Sequence, residues 1–258
     1  MVRNLRELWQ YRALLWNLTV RELRARYRAS VLGFLWTFLN PTLNMVVYAF
    51  VFGVLMPQSQ KAYAYWLFAG LLPWIFFTSS VGAGTSAVSD RRDLLTKVRF
   101  PAQVLPATVV ATNLINYLLS LPLLLALGLF FGDLPSWHLV LFLPLAALQT
   151  LFTLAVTYLL SALNVRFRDL QHIVGNVLTM MFFLTPVVWP LKQVGELKDV
   201  VLYANPMASL LDGYRSIFFE HTLPAFEPLL EVLVVSLVLL AIASAVFESR
   251  REEFAELI

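Results

Sequence analysis

The sequence contains no cysteine, so it can form neither a disulfide bond nor a thiolate-based metal or redox site. Charge is also scarce, since only 14% of the 258 residues are Asp, Glu, Lys or Arg while 59% are hydrophobic. Soluble domains usually carry roughly 25% charged residues. With a mean hydropathy of +0.73, the chain is expected to fold in lipid. Its net charge of +3 is too small to favour nucleic acid as a partner.

Motifs for chemistry are missing as well. The sequence has no His-Glu-x-x-His, no Gly-x-Ser-x-Gly and no Gly-Lys dipeptide of a phosphate-binding loop. His138, His172 and His221 do not have the spacing of metal ligands, and we interpret them as ordinary polar residues at membrane edges. The chain is therefore predicted to be no enzyme, and to bind no metal or cofactor itself.

Long apolar runs are what the sequence does contain. A membrane-spanning helix needs roughly 20 mainly apolar residues, and six runs come close to or exceed this length. The predicted spans are 33–56, 62–88, 102–131, 139–163, 173–191 and 228–247. Only the sixth carries an acid, Glu231. We therefore predict an all-α polytopic membrane protein in which residues 1–258 form a single transmembrane domain.

The basic residues predict the orientation. Most Lys and Arg residues lie in 1–32, 89–101, 164–172 and the C-terminal tail. Short loops rich in Lys and Arg stay on the cytoplasmic side of the membrane. We therefore expect both termini to be cytoplasmic.

Two segments outside the spans are predicted to be helical. Within residues 1–32, apolar residues recur every three or four positions, which predicts an amphipathic helix lying at the cytoplasmic membrane surface. A helix packed on a soluble partner domain is the alternative. The connection 192–227 has a helix start at Asn205-Pro206 but is too short and polar to span. We expect it to form short re-entrant or interfacial helices on the outer side.

Aromatic residues in two spans are candidates for the lining of a channel. They are Phe34, Phe38, Tyr48 and Phe52 in the first span, and Phe182, Phe183 and Trp189 in the fifth. The first four recur on one helical face, and aromatic rings can pack against the C–H groups of sugars. A polysaccharide pathway is one hypothesis, and lipid contact or helix packing is the other.

The span interiors lack the carboxylates and histidines that ion-coupled carriers use to bind Na⁺ or relay protons. An ion-coupled carrier or channel is therefore disfavoured. A membrane-embedded transferase for lipid-linked sugars would need clustered carboxylates or histidines at one membrane face, and the sequence shows only scattered ones. If the chain is a transporter, its energy must come from a partner.

Five segments in order carry a resemblance to a known family. They are 21–36 with Asn40-Pro41, 97–101, 164–170, 185–187, and Asn205-Pro206 with Tyr214-Arg215. They resemble the ABC exporter permeases for bacterial surface polysaccharides, which include Wzm-type O-antigen, teichoic acid and capsule exporters. The similarity covers essentially the whole chain. Drug and lipid exporters share this architecture, and only the motifs favour polysaccharide.

The resemblance implies a homodimer in a bacterial inner membrane, whose two six-span subunits enclose a channel through the membrane lipid. Two copies of a separate subunit would bind ATP and Mg²⁺, and the cargo would be a polysaccharide on a polyprenyl diphosphate. The segment 90–99 would be the coupling helix received by the ATPase. Its residues expected to take part are Asp90, Arg91, Arg92, Asp93, Leu94, Leu95, Lys97 and Arg99.

Four arginines precede the first span in the part of the chain that carries the first motif. Arg21, Arg24, Arg26 and Arg28 would lie where the diphosphate of the cargo approaches the membrane. We hypothesise that they form its entrance. The same arginines also fit the positive-inside pattern of topology alone.

Overall fold

The structure is a computed structural model that describes residues 2–27, 30–56, 62–91 and 100–249. In these ranges the regular structure is helical throughout, with ten α-helices, which confirms the all-α prediction. The helices are α1 (Val2–Gln10), α2 (Arg12–Tyr27), α3 (Trp36–Ala49), α4 (Tyr63–Thr85), α5 (Val104–Phe130), α6 (Phe142–Asn164), α7 (Leu170–Leu184), α8 (Lys198–Ala204), α9 (Pro206–Arg215) and α10 (Phe226–Ser249).

Among the described residues, five helical segments are long and apolar enough to cross a membrane. They are Gly33–Leu55, Tyr63–Thr85, Val104–Phe130, Trp137–Asn164 and Phe226–Ser249. The first is α3 extended by a 3₁₀ turn at Gly33–Leu35 and a π-helical turn at Phe50–Leu55, and the fourth is α6 preceded by a 3₁₀ turn at Trp137–Leu141. These segments overlap five of the six predicted spans.

The fifth predicted span, 173–191, differs from the structure. Helix α7 has 15 residues, or about 22 Å at 1.5 Å per residue, against roughly 30 Å for the hydrocarbon core. It stops at Leu184 because Pro186 has no N–H to donate and forces the residue before it out of helical conformation. Thr185 accordingly has an extended backbone.

Helix α4 is the centre of the bundle. It packs against α3, α5, α6, α7 and α9. Gly84 allows α6 to approach closely, because a Cβ atom at this position would overlap the methyl group of Thr157. At Gly128 a Cβ would lie 3.0 Å from the ring of Tyr65, so this glycine brings α5 close to α4. Small residues thus set the spacing of the central helices, as is usual for packing in membranes.

The predicted helix within 1–32 is divided in the structure. Helices α1 and α2 are joined at Tyr11, and backbone hydrogen bonds from Tyr11 to Glu7 and from Leu15 to Tyr11 continue across the joint. Helix α2 packs against α5. Its Thr19 is buried, so α2 is attached to the bundle. The apolar residues of α1 share one face, as predicted, whereas those of α2 are spread around the helix.

The segment 192–227, predicted above to lie on the outer side and called the outer connection below, folds back into the bundle. A 3₁₀ segment at Leu191–Leu197 leads to α8 and α9, and a π-helical turn at Ser216–Glu220 follows. The side chain of Asn205 caps α9 by accepting a hydrogen bond from the backbone of Met207 at 3.1 Å, with Pro206 in the first turn. Helix α9 packs against α4 and α10. The prediction of short helices between the fifth and sixth spans is confirmed.

Candidate functional site

Helix α7 exposes a polar and aromatic stripe to its surroundings. His172, Asn176, Thr179 and Phe183 follow one another at steps of four, three and four residues, which places them on one helical face. All four are exposed, with Phe183 at 59%. Only Val174 and Phe182 of this helix are buried.

A carboxamide and an imidazole on an apolar helix are costly where they face lipid, because lipid offers no hydrogen-bond partner. We therefore expect the stripe to face water or another protein surface. Sequence reasoning missed it, because only charged groups and aromatic rings were considered as signals of a pathway. The signal that could have found it is the recurrence of His172, Asn176 and Thr179 on one face of the span.

The first span is the other exposed element. Only 6% of its most hydrophobic 18-residue stretch is buried. Leu43, Val47 and Phe50 are each more than half exposed. Like α7, it packs on α4. The protomer therefore leaves two neighbours of α4 largely uncovered.

The predicted channel-lining residues fall into three groups in the structure. Phe34 and Phe183 are exposed, and Phe38 stacks edge-on against Phe34 at 5.5 Å between ring centroids. Tyr48, Phe52 and Trp189 are half-buried. Phe182 is buried and lies 5.1 Å from the ring of Tyr48 and 6.0 Å from that of Trp74. The aromatic residues of α3 and α7 meet at the Tyr48–Phe182 contact.

A buried arginine ties the outer connection to the bundle. Arg215, at the end of α9, is 4% exposed and donates to the carbonyls of Pro186 at 2.5 Å and Val187 at 2.8 Å. Its guanidinium lies 3.5 Å from the ring centroid of Trp66, a cation–π contact. A Cβ at Gly70 would lie 2.6 Å from Nη2 of this arginine, so α4 needs glycine there.

Two segments that carry the family resemblance meet at this arginine, namely 185–187 and Asn205-Pro206 with Tyr214-Arg215. The Arg215 guanidinium donates to two backbone carbonyls in the segment that follows α7. Asn205 donates to the Thr185 hydroxyl in the same segment at 2.8 Å. The hydroxyl of Tyr63 donates to the carbonyl of Val188 at 2.7 Å. These bonds satisfy the carbonyls left free where α7 ends early. The sequence motifs therefore build one polar joint between α4, α7 and α9.

Two of the three histidines also come together, contrary to their interpretation as scattered residues. His221 contacts Asp133 at 2.6 Å and the Ser136 hydroxyl at 3.1 Å. Ser136 in turn contacts His138 at 3.0 Å. In the part of the chain that the structure describes, no group of three or more His, Cys, Asp or Glu side chains could hold a metal ion. The cluster connects the outer α5–α6 loop to the end of the outer connection.

The arginines proposed for the diphosphate entrance point in different directions. Arg21 and Arg24 are exposed and line one groove with Trp16 and Asn17. Arg26 is directed to α5, where it donates two N–H groups to the Asn113 carbonyl oxygen at 3.3 Å each. Arg28 lies outside the described residues.

The predicted coupling segment is described only at its beginning. Asp90 is exposed and lines a small cavity with Ser89, Asn164 and Arg168, while Arg91 forms an ion pair with Glu22 of α2. The ion pair joins the first turn of the segment to the helix that precedes the first span. The remaining residues, Arg92, Asp93, Leu94, Leu95, Lys97 and Arg99, lie outside the described residues.

Comparison with known proteins adds a family assignment to this geometry. A family model described as ABC-2 type transporter matches residues 13–219. The chain is 59% identical over 258 residues to the O-antigen export system permease protein RfbA of Myxococcus xanthus, covering 99% of both proteins. It is 30% identical over 242 residues to the protein of that name in Klebsiella pneumoniae, covering 93% of both. The polysialic acid transport protein KpsM of Escherichia coli is 22% identical over 241 residues, covering 91% of this chain and 92% of its own.

Proposed function

Because the chain belongs to the ABC-2 type transporter family and is therefore a membrane permease subunit rather than an ATPase, we propose that it forms the transmembrane part of an exporter for lipid-linked, O-antigen-like polysaccharide. Two relatives that cover nearly the whole chain are O-antigen export permeases. The observation that carries the proposal is the polar stripe His172, Asn176, Thr179 on the otherwise apolar helix α7. A hydrated sugar chain needs such a surface, whereas lipid does not.

The functional unit is a homodimer with the pathway between its two copies. The first span and α7 flank α4 and have the largest exposed faces near each other. Pairing two copies through these faces shields the apolar residues and leaves the polar stripe towards a central passage. Phe34, Phe38, Tyr48, Phe52, Phe183 and Trp189 line this passage, while Phe182 supports its wall from behind.

Energy comes from two copies of an ATP-binding subunit on the cytoplasmic side, which hold ATP and Mg²⁺. The segment 90–99 docks into them, and the ion pair of Arg91 with Glu22 passes its movement to α2. This arrangement places both termini in the cytoplasm and the chain in a bacterial inner membrane. The basic segments 1–32, 89–101 and 164–172 support that orientation.

The diphosphate of the cargo approaches along α2. The groove that contains Arg21 and Arg24 faces away from the bundle, with Trp16 beside it, as expected for residues at lipid head-group depth. Arg26, on the same helix, donates to Asn113 of α5 and so lies closer to the bundle. The double substitution Arg21→Gln with Arg24→Gln is expected to slow export without affecting membrane insertion. Unchanged export would show that these two arginines do not form the diphosphate entrance.

Everted membrane vesicles test the function directly. Vesicles that contain this chain, its ATPase partner and lipid-linked polysaccharide should protect the polysaccharide from an added glycosidase only when ATP is supplied. Protection driven by a proton or sodium gradient alone would instead support an ion-coupled carrier. An ATPase variant without its phosphate-loop lysine is the matched control and should give no protection.

The absence of cysteine allows a test of the pathway. Single substitutions Asn176→Cys and Thr179→Cys should react with a water-soluble maleimide in the assembled transporter, because their face is hydrated. Val177→Cys, on the apolar side of the same helix, is the control and should react more slowly. Equal reaction at Val177 and Thr179 would contradict a pathway along the stripe.

A further inference from the structure

A cavity of about 470 Å³ opens between α3, α4 and α5. Arg26 of α2 lies at one end of it, and residues from three successive turns of α5 line one wall. Nothing in the proposed pathway along α7 uses this space. Its volume is in the range of small-molecule sites, roughly 300–1,000 Å³.

The lining is unusual for a space inside a bundle of membrane helices. Four carboxamides face it from two helices, Asn40 and Asn44 on α3 and Asn113 and Asn116 on α5. Aromatic rings complete it, among them Tyr117. The described lining residues include no carboxylate. Amides that offer both donors and acceptors, together with aromatic faces, suit a neutral ligand rich in hydroxyl groups, which is the chemistry of a sugar.

Asn113 carries a second, independent sign of a ligand. The residue is 4% exposed, and its carbonyl oxygen accepts both N–H groups of Arg26 at 3.3 Å. This contact fixes which end of the amide is oxygen. The Nδ2 atom is then buried and makes no hydrogen bond to the described residues. Buried donors are nearly always paired in folded proteins, so a ligand oxygen is the natural partner for this one.

The position of the cavity relates it to the cytoplasmic side of the membrane. Along α5, its lining begins roughly 14 Å and ends roughly 24 Å from Val104 at a rise of 1.5 Å per residue. Arg26 stands near the Asn113 end. A ligand with an anionic group and an attached sugar can therefore place the anion near Arg26 and the sugar deeper among the amides.

We propose that this cavity binds the sugar unit next to the diphosphate of the lipid-linked cargo. The amides of α3 and α5 bind the sugar hydroxyls, the rings pack on its faces, and Arg26 lies where the diphosphate begins. The inference rests on the proposed function and adds a specificity site to it: the permease selects the first sugar rather than the lipid alone. An anionic phospholipid shares the phosphate chemistry, and the experiment separates the two sources.

The test uses the full chain purified with its ATPase partner in lipid nanodiscs. Three probes are compared by native mass spectrometry: a polyprenyl diphosphate carrying one hexose, the same polyprenyl diphosphate without sugar, and phosphatidylglycerol. Asn44→Leu and Asn113→Leu remove one amide from each wall while keeping nearly the same side-chain size. Gln193→Leu in the connection 192–227 is the matched control, because it also replaces a carboxamide with an apolar side chain, at an exposed position outside both the cavity and the proposed pathway.

We expect each cavity variant to weaken binding of the hexose probe about tenfold and to change the sugar-free probe by less than about threefold. Gln193→Leu should leave hexose binding unchanged. Phosphatidylglycerol should not compete with the hexose probe. Equal effects on both polyprenyl probes, no effect on either, or competition by phosphatidylglycerol would overturn the proposal.

Two further measurements keep the outcomes separate. Thermal unfolding measures whether each cavity variant folds. Because Asn44 and Asn113 lie on opposite walls, we expect at least one of the two variants to fold like the unaltered chain. ATP-dependent protection in everted vesicles reports on export by the unaltered chain. Intact export without sugar selectivity overturns only the cavity site, whereas absence of export overturns the proposed function.

Discussion

Helix α4 and the first span are nearly equal in apolarity but opposite in burial. The most hydrophobic 18-residue stretch of α4 has a mean hydropathy of 1.4, and that of the first span has 1.6. Within the chain, 72% of the stretch in α4 is buried, but only 6% of the stretch in the first span. Affinity for lipid therefore does not decide which helix becomes the core. The difference lies in the polar and small residues of α4, which fit particular partners, as Gly70 fits Arg215 and Gly84 fits Thr157.

The comparison assigns different tasks to the two regions. Helix α4 fixes the arrangement of one protomer, because its contacts are specific and within the chain. The first span and α7 make fewer such contacts and leave their largest surfaces exposed. Substitutions around α4 should then affect folding, whereas equivalent substitutions in the exposed region should affect folding little.

The largest effect is expected at the arginine that joins α9 to α4. Arg215→Leu removes the partner of two buried carbonyls and the cation–π contact with Trp66, and should lower the free energy of unfolding by about 3 kcal/mol. Arg168→Leu, an exposed arginine just before α7, is the control and should change it by less than about 0.5 kcal/mol. Thermal unfolding in detergent measures both. Similar losses would mean that the two regions do not differ in this way.

A matched pair of glycines gives the next effect. Gly84→Ala places a methyl group against Thr157 and should destabilise the protein by about 2 kcal/mol. At Gly175 in α7 an added methyl group would have no neighbouring described atom within 4 Å, so Gly175→Ala should be neutral or stabilise by about 0.5 kcal/mol through helix propensity. The same thermal unfolding assay applies. A loss at Gly175 as large as that at Gly84 would place α7 in a tightly packed environment within the protomer.

A smaller effect is expected from a buried hydrogen-bond chain on α4. Gln149 of α6 donates to the Pro73 carbonyl at 2.7 Å and accepts from the Tyr214 hydroxyl at 2.7 Å. Gln149→Leu and Tyr214→Phe should each cost about 1–2 kcal/mol. The double variant should cost less than the sum of the two, because the shared bond is lost only once. Strict additivity would indicate that the two side chains do not interact.

The sequence predicted the helices well where hydropathy alone determines them. Five spans and the short outer helices were found because apolar length and the Asn205-Pro206 start are local signals. The end of α7 at Leu184 was missed, although Pro186 marks it. Residues 185–191 remain apolar, although the helix has ended. Their backbone carbonyls can lie outside a helix because side chains from elsewhere in the chain, Arg215 and Tyr63, donate hydrogen bonds to them.

The candidate site was predicted less well because it depends on contacts distant in sequence. Aromatic spacing placed Tyr48 and Phe182 in one set of channel residues, but it could not show that the two pack on each other. Proximity in the sequence grouped Arg26 with Arg21 and Arg24, while its partner, Asn113, is 87 positions away. The polar stripe on α7 was within reach of sequence reasoning, since helical spacing alone would have shown it.

The smallest effect on stability is expected at the ion pair between Glu22 and Arg91. Both side chains are partly exposed, and pairs of this kind contribute about 0–1 kcal/mol, so Glu22→Arg should hardly change thermal unfolding. If the pair passes movement from segment 90–99 to α2, the same substitution should lower ATP-dependent export several times more than it lowers stability. The double variant Glu22→Arg with Arg91→Glu restores the pair in reverse and should recover export. Failure of the reversed pair to recover any export, with both single variants folded, would show that the contact has no part in coupling.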